Sequence, residues 1–232
     1  MFKIKDFKMR FNCFQLLFIF LYVNTIHAQD LKPVRIYKQI WAGVNLSLDH
    51  FQNGDEIMEA KTKEEWRECF DKRVPAWCSY SNSKKNDSIY GKIYNFYAIS
   101  DVRKICPAGY RVPIPSEWMN LRHILNSVPN SNRYIIRSAK RMKSKTGWKD
   151  NGNGINDVYL NGTPGGVRLM DGTFTGIKRQ VAYWSFPEEW RERPMSHDAY
   201  RSMYFMLKFY EDDIIESDNV EINGLYLRCV KE

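Results

Sequence analysis

The chain has 232 residues, with 35 Lys and Arg against 27 Asp and Glu, a formal charge of +8. Apolar residues make up 44% and aromatics 15%, too much hydrophobic material for a disordered chain. With no heptad run, G-x-y period or long internal repeat, fibrous and solenoid classes are excluded.

The N-terminus reads as an address. Lys3, Lys5, Lys8 and Arg10 precede a mostly apolar stretch over residues 11–23, and Ile26-His27-Ala28 closes it with a small residue. A charged start, a short apolar run and such a closing site predict a secretory signal peptide over residues 1–28. The apolar run is shorter than the roughly 20 residues that a membrane span needs. Residues 29–232 are then expected to form a single secreted or cell-surface domain with no transmembrane span. Losing the leader removes four cations and one acid, so the remainder carries about +5. The positives cluster at Arg133, Arg137, Lys140, Arg141, Lys143, Lys145 and Lys149. On an exported protein they read as a solvated basic face, with no nucleic-acid partner expected.

Residues 34–41 (VRIYKQIW) alternate bulky and polar groups and predict a strand. Thr62 and Glu65 form a capping box ahead of Trp66, Cys69 and Phe70, which share one stripe of a short helix ending before Pro75. Residues 82–88 (NSKKNDS) read as a polar loop. In residues 90–100, Tyr90, Ile93, Tyr94, Tyr97 and Ala98 follow a helical period. Pro115 opens a further helix at its first position, with Trp118, Leu121 and Leu125 as its apolar stripe. Residues 150–157 (DNGNGIND) form an irregular loop. Residues 165–177 predict a hairpin turning at Asp171-Gly172 as a type I′ turn. Residues 181–186, 200–209 and 225–230 are further strands. Helices in the first half and short antiparallel strands in the second predict an α+β domain.

Five cysteines are present; setting aside Cys13 in the leader leaves Cys69, Cys78, Cys106 and Cys229. An even set in an exported chain predicts disulfides, and four cysteines allow three pairings. Cys69 and Cys78 could staple a local loop; Cys106 with Cys229 would then close a long one. No pair has the close spacing of a zinc site.

Taken together, residues 75–80 (PAWCSY), 90–99 (YGKIYNFYAI), 106–113 (CPAGYRVP), 117–121 (EWMNL), 164–168 (PGGVR), 171–174 (DGTF), 183–185 (YWS) and 227–232 (LRCVKE) closely resemble the Fibrobacter succinogenes major paralogous domain. The order and spacing hold from Val34 to Glu232. The resemblance implies an exported or surface-displayed bacterial module with a C-type-lectin-like fold, distantly similar to formylglycine-generating enzyme domains. Two helices would flank small twisted antiparallel sheets with long loops, and the N- and C-terminal strands would pair. Ile114 stands where the related pattern has a Ser or Thr helix cap, Val167 replaces an aromatic, and Phe186 replaces a serine.

Against that background, Cys229 reads as bonded to Cys106, whereas an oxidase of the formylglycine-generating type needs a free, close thiol pair. Lectin calcium triplets are absent. The 150–157 loop offers oxygen ligands, but an EF-hand register would put Lys149 at its first position, so no cofactor is expected and calcium is the weaker reading. His50, His123 and His197 form no metal-binding pair, no G-x-S-x-G occurs, and Asp212-Asp213 reads as solvated charge. Tyr94, Tyr97, Trp118 and Trp184 read as core. Trp190, Arg191, Arg193, His197 and Tyr200 lie outside any apolar period and combine the residue types that anchor binding surfaces. The expected function is a non-catalytic recognition module for an extracellular glycan or protein; the alternatives are a structural subunit of a surface appendage and a divergent formylglycine-type oxidase.

Overall fold

A computed structural model describes residues 29–129, 136–186, 204–217 and 222–232. The expected leader and the expected binding residues Trp190, Arg191, Arg193, His197 and Tyr200 lie outside the described residues.

The alternating run at the start does not make one strand. It reverses into a hairpin, β1 (Pro33–Ile36) and β2 (Gln39–Ala42), with Pro33 opposite Ala42 and Ile36 opposite Gln39. The turn is Tyr37-Lys38, and Tyr37 adopts φ +54°, a left-handed conformation that crowds any β-carbon. β3 (Met58–Glu59) precedes α1 (Lys63–Asp71), which starts as expected. Thr62 Oγ1 accepts from the Glu65 N–H at 3.0 Å and Glu65 Oε2 accepts from the Thr62 N–H at 3.0 Å. β4 (Ala76–Cys78) follows.

The polar run expected as a loop instead supplies α2 (Lys84–Tyr90). Gly91 ends it at φ +79°, where a β-carbon would sit 2.8 Å from Asn45 Cβ. That glycine also splits the helix expected over residues 90–100. Ile93–Tyr94 becomes β5, and α3 (Phe96–Ser100) starts afresh on Asn95, whose side chain accepts from the Ala98 N–H at 3.0 Å. β6 (Tyr110–Arg111) leads to α4 (Pro115–Ser127). Ile114 gives no side-chain cap, but Glu117 Oε2 accepts from the Ile114 N–H at 2.9 Å, and the Glu117 carboxylate also takes both arms of Arg111 at 2.8 Å.

The later strands follow α5 (Ser138–Met142): β7 (Gly165–Leu169), β8 (Phe174–Ile177), β9 (Gln180–Trp184), β10 (Tyr204–Lys208), β11 (Ile215–Ser217), β12 (Ile222–Tyr226) and β13 (Val230–Lys231). The β7–β8 hairpin forms, although its turn is not type I′: Gly172 alone of the Asp171-Gly172 pair has positive φ. β1, β2, β13 and β6 make one sheet in that order, so an N-terminal strand pairs with the last one through Trp41 and Val230. A larger sheet runs β11-β10-β9-β7-β12-β5-β4-β3, with β8 attached to β7.

The larger sheet is buried on both faces. Tyr204, Met206, Ala182, Trp184 and Leu225 belong to one hydrophobic cluster, and their alternating neighbours Phe205, Leu207, Val181, Tyr183 and Tyr226 to another. Period-two alternation between clusters places them on opposite sides. α3 packs into the first cluster; Trp66 of α1, Trp118 of α4 and Met142 of α5 fill the second. Trp118 stacks on Tyr183 and Phe205 at centroid distances of 5.3 and 5.5 Å. Tyr94, Tyr97, Trp118 and Trp184 are thus all core, as expected. The architecture is α+β.

Cys106 and Cys229 are joined across a sequence separation of 123. The expected second bridge does not form: Cys69 and Cys78 are buried free thiols. α1 points the Cys69 thiol at Met58 Sδ on β3, 3.5 Å away, instead of at β4. The expected basic face is also partly internal. Lys143 is fully buried, with Nζ donating to the carbonyls of Lys208 and Glu211 at 3.2 and 3.0 Å, and Arg141 is 8% exposed. No helix among the described residues is long and apolar enough to cross a membrane.

Candidate functional site

Tyr37, Tyr159 and Tyr210, at 68%, 73% and 66% exposure, are the aromatic side chains most open to solvent among the described residues. Two of them, Tyr37 and Tyr159, border a single groove of about 400 Å³. The β1–β2 turn sets Tyr37 on one side. Tyr159 comes from the loop after residue 157 and, like Tyr37, has a left-handed backbone, φ +58°. Left-handed conformations in bulky residues cost of order 1–2 kcal/mol each and concentrate at functional positions. β1 and α4 form the apolar floor, where Ile36 and Leu125 are buried and Val128 is half-exposed.

The polar part of the groove is built around Arg141. Its Nε lies 3.1 Å from both carboxylate oxygens of Asp157, and Nη1 donates to the carbonyls of Val128 and Leu125 at 2.8 and 3.3 Å. Asp157 is thereby neutralised. Arg35 is exposed on the same groove and makes no ion pair among the described residues.

Two other cavities are lined in part by charged groups already paired within the chain. A hollow of about 820 Å³ beside Trp77 holds Asp49, His50, Glu56 and Glu59. There Lys92 Nζ already sits 3.7 Å over the Trp77 ring and 3.1 Å from Asp49 Oδ2. Burial would lift the Asp49 carboxyl, but hydrogen bonds from His50 and Lys92 hold it below its ordinary value. A polar cleft of about 560 Å³ is lined in part by Asn45, Asp87 and Arg228. Arg228 is 2% exposed and donates to the carbonyls of Ala42 and Leu160 and to Asn45 Oδ1, so it is tied into the wall. Burial lowers its pKa, partly offset by Tyr183.

The remaining expected site residues are dispersed. Cys106 and Cys229 form the disulfide. Burial pushes the Cys78 thiol up to about 12 and raises that of Cys69, away from the thiolate needed for reaction. His50 pairs with Asp49 at 2.9 Å and His123 is exposed. In the 150–157 loop, the Asn153 amide oxygen accepts from the Trp148 N–H at 3.0 Å and Asp157 is held by Arg141. Asp213, expected as solvated charge, is instead a half-buried hydrogen-bond hub. Tyr37, Tyr159 and Arg35 were not legible as a site: Tyr37 and Arg35 sit inside a strand-like alternation, and Tyr159 carries no signal beyond its place beside an irregular loop.

A family model described as the Fibrobacter succinogenes major domain matches residues 34–231. No curated protein and no solved structure matches the chain.

Proposed function

The chain belongs to the Fibrobacter succinogenes major domain family, and from that membership we propose that it is an exported, non-catalytic recognition module. It meets an extracellular glycan or protein outside the cell through loop aromatics and arginines, on a C-type-lectin-like scaffold. The observation that carries this reading is the pair of solvent-facing tyrosines, both on left-handed backbone, bordering one groove that also presents Arg35, which has no ion-pair partner among the described residues. Exposed aromatic rims around an apolar floor are a feature of ligand grooves. Support comes also from the leader-like residues 1–28, from the long-range disulfide, and from the pairing of β2 with β13. Trp190, Arg191, Arg193, His197 and Tyr200 are proposed as additional contacts.

The test is fractionation of the producing cells followed by ligand capture. The expected product begins at Gln29, is cut by protease added to intact cells, and retains a surface component when immobilised. A Tyr37→Ala, Tyr159→Ala chain with unchanged melting loses that component. Recovery from the cytosol with residues 1–28 attached would defeat the proposal.

A further inference from the structure

We propose that the groove between Tyr37 and Tyr159 binds an acidic oligosaccharide, one whose sugar rings carry carboxylates. This deepens the recognition reading and rests on it. The groove, at about 400 Å³, lies within the roughly 300–1,000 Å³ range of small-molecule sites. Its lining has two characters: apolar Ile36, Leu125 and Val128 together with the two tyrosines, and hydrogen-bonding groups at Arg35 and Asp157. A pyranose has the same two characters, with C–H faces above and below the ring and hydroxyls around its edge. The electron-rich face of a tyrosine attracts the polarised C–H groups, and the phenol adds a donor and an acceptor for hydroxyls.

Charge selects the acidic sugar over the neutral one. Arg141 and Asp157 cancel each other at 3.1 Å. Among the described residues neither Arg35 nor Lys38 has a carboxylate partner, and Lys38 Nζ stands 5.8 Å from the centroid of the Tyr37 ring. Arg35 is therefore the cation that a ligand in the groove meets, and Lys38 adds positive charge beside Tyr37. An arginine fork also matches a carboxylate in a two-bond geometry.

Isothermal titration of the full exported chain with galacturonic-acid oligomers, and with cello-oligosaccharides of equal length as the neutral control, tests the assignment. The acidic oligomer is expected to bind more tightly, and more weakly as salt rises. Tyr159→Ala, an exposed substitution that leaves melting unchanged, is expected to weaken binding at least tenfold, and Tyr159→Phe to keep most of it. Arg35→Gln is expected to abolish the preference for the acid. Equal affinity for the two oligomers, or binding that survives both Tyr159→Ala and Arg35→Gln, overturns the assignment. Binding of neither oligomer overturns it too; if a surface component is still retained in that case, the recognition reading stands without it. Loss of both removes the two together.

Discussion

At Asp213 a single carboxylate gathers two helices. Asn126 of α4 donates to its two oxygens at 3.0 and 3.2 Å, Arg122 approaches at 3.3 Å, and Ser138 at the start of α5 donates its hydroxyl. Burial would raise the Asp213 pKa, yet the donors from Ser138, Asn126 and Arg122 hold it below the ordinary 3.8. The folded chain therefore favours the charged form. That stability is complete above pH 3.8 and drains away as the pH falls through the depressed folded value. Asp213→Asn is expected to lose about 1–3 kcal/mol at pH 7, because charged and neutral donors are left facing an amide. Urea melts at pH 7 and pH 3 check it: the gap from the parent should narrow at the lower pH. Asp87 runs the other way. Burial raises its carboxyl, and Oδ1 is buried with no hydrogen-bond partner among the described residues. The folded chain there favours the neutral form, so stability is lost as the pH rises through the raised value. Asp87→Asn should match or exceed the parent at pH 7 and lose any advantage at pH 3, and a clear loss at pH 7 would contradict this account.

At the scale of elements, buried cations act as pins between backbone segments. Arg168 of β7 is fully buried and donates to the carbonyls of Gly172, Ala60 and Thr62 at 3.1, 2.8 and 2.8 Å. It thereby ties the β7–β8 hairpin to the start of α1, with Trp66 and Phe174 packed on the guanidinium at 4.5 and 4.6 Å. Arg168→Met keeps the length but leaves those carbonyls without a donor, and chemical denaturation should show a loss of about 3 kcal/mol or more. The exposed Arg179→Met should be near neutral by comparison. These pins also explain what the sequence did and did not reveal. Local signals were legible: the Thr62–Glu65 box, Pro115 at the start of α4, and the apolar stripe through Trp118, Leu121 and Leu125 all stand in the structure. What failed depended on partners far along the chain or on unusual turns. Tyr37-Lys38 reverses the chain without Gly or Asn, Gly91 breaks a helical period because Asn45 and Leu46 press against it, and Lys143 is drawn inside by the carbonyls of Lys208 and Glu211. For the candidate site, spacing alone could not say which tyrosines stay outside.

For the whole molecule, one covalent link spans most of the chain. Cys106 lies just before β6 and Cys229 just before β13, and these two strands pair through Val230 and Arg111. β13 also holds β2, so the bridge secures the sheet that closes N-terminal strands onto the C-terminus. Its separation of 123 residues removes much of the freedom of the unfolded chain; the loop-entropy relation gives about 4–5 kcal/mol for a loop of this size. Cys106→Ser with Cys229→Ser should lower stability by about that amount, read from denaturant melts of the oxidised parent and the double variant. Thiol titration of the denatured, unreduced protein tests the covalent pattern independently. With residues 1–28 removed, Cys69 and Cys78 should be the two reactive groups, and with the leader retained Cys13 should add a third. In the native protein both should react slowly, because burial disfavours the thiolate and closes access to the reagent. Zero thiols after denaturation would mean that Cys69 and Cys78 had bonded, which requires α1 to turn Cys69 away from Met58 and toward β4.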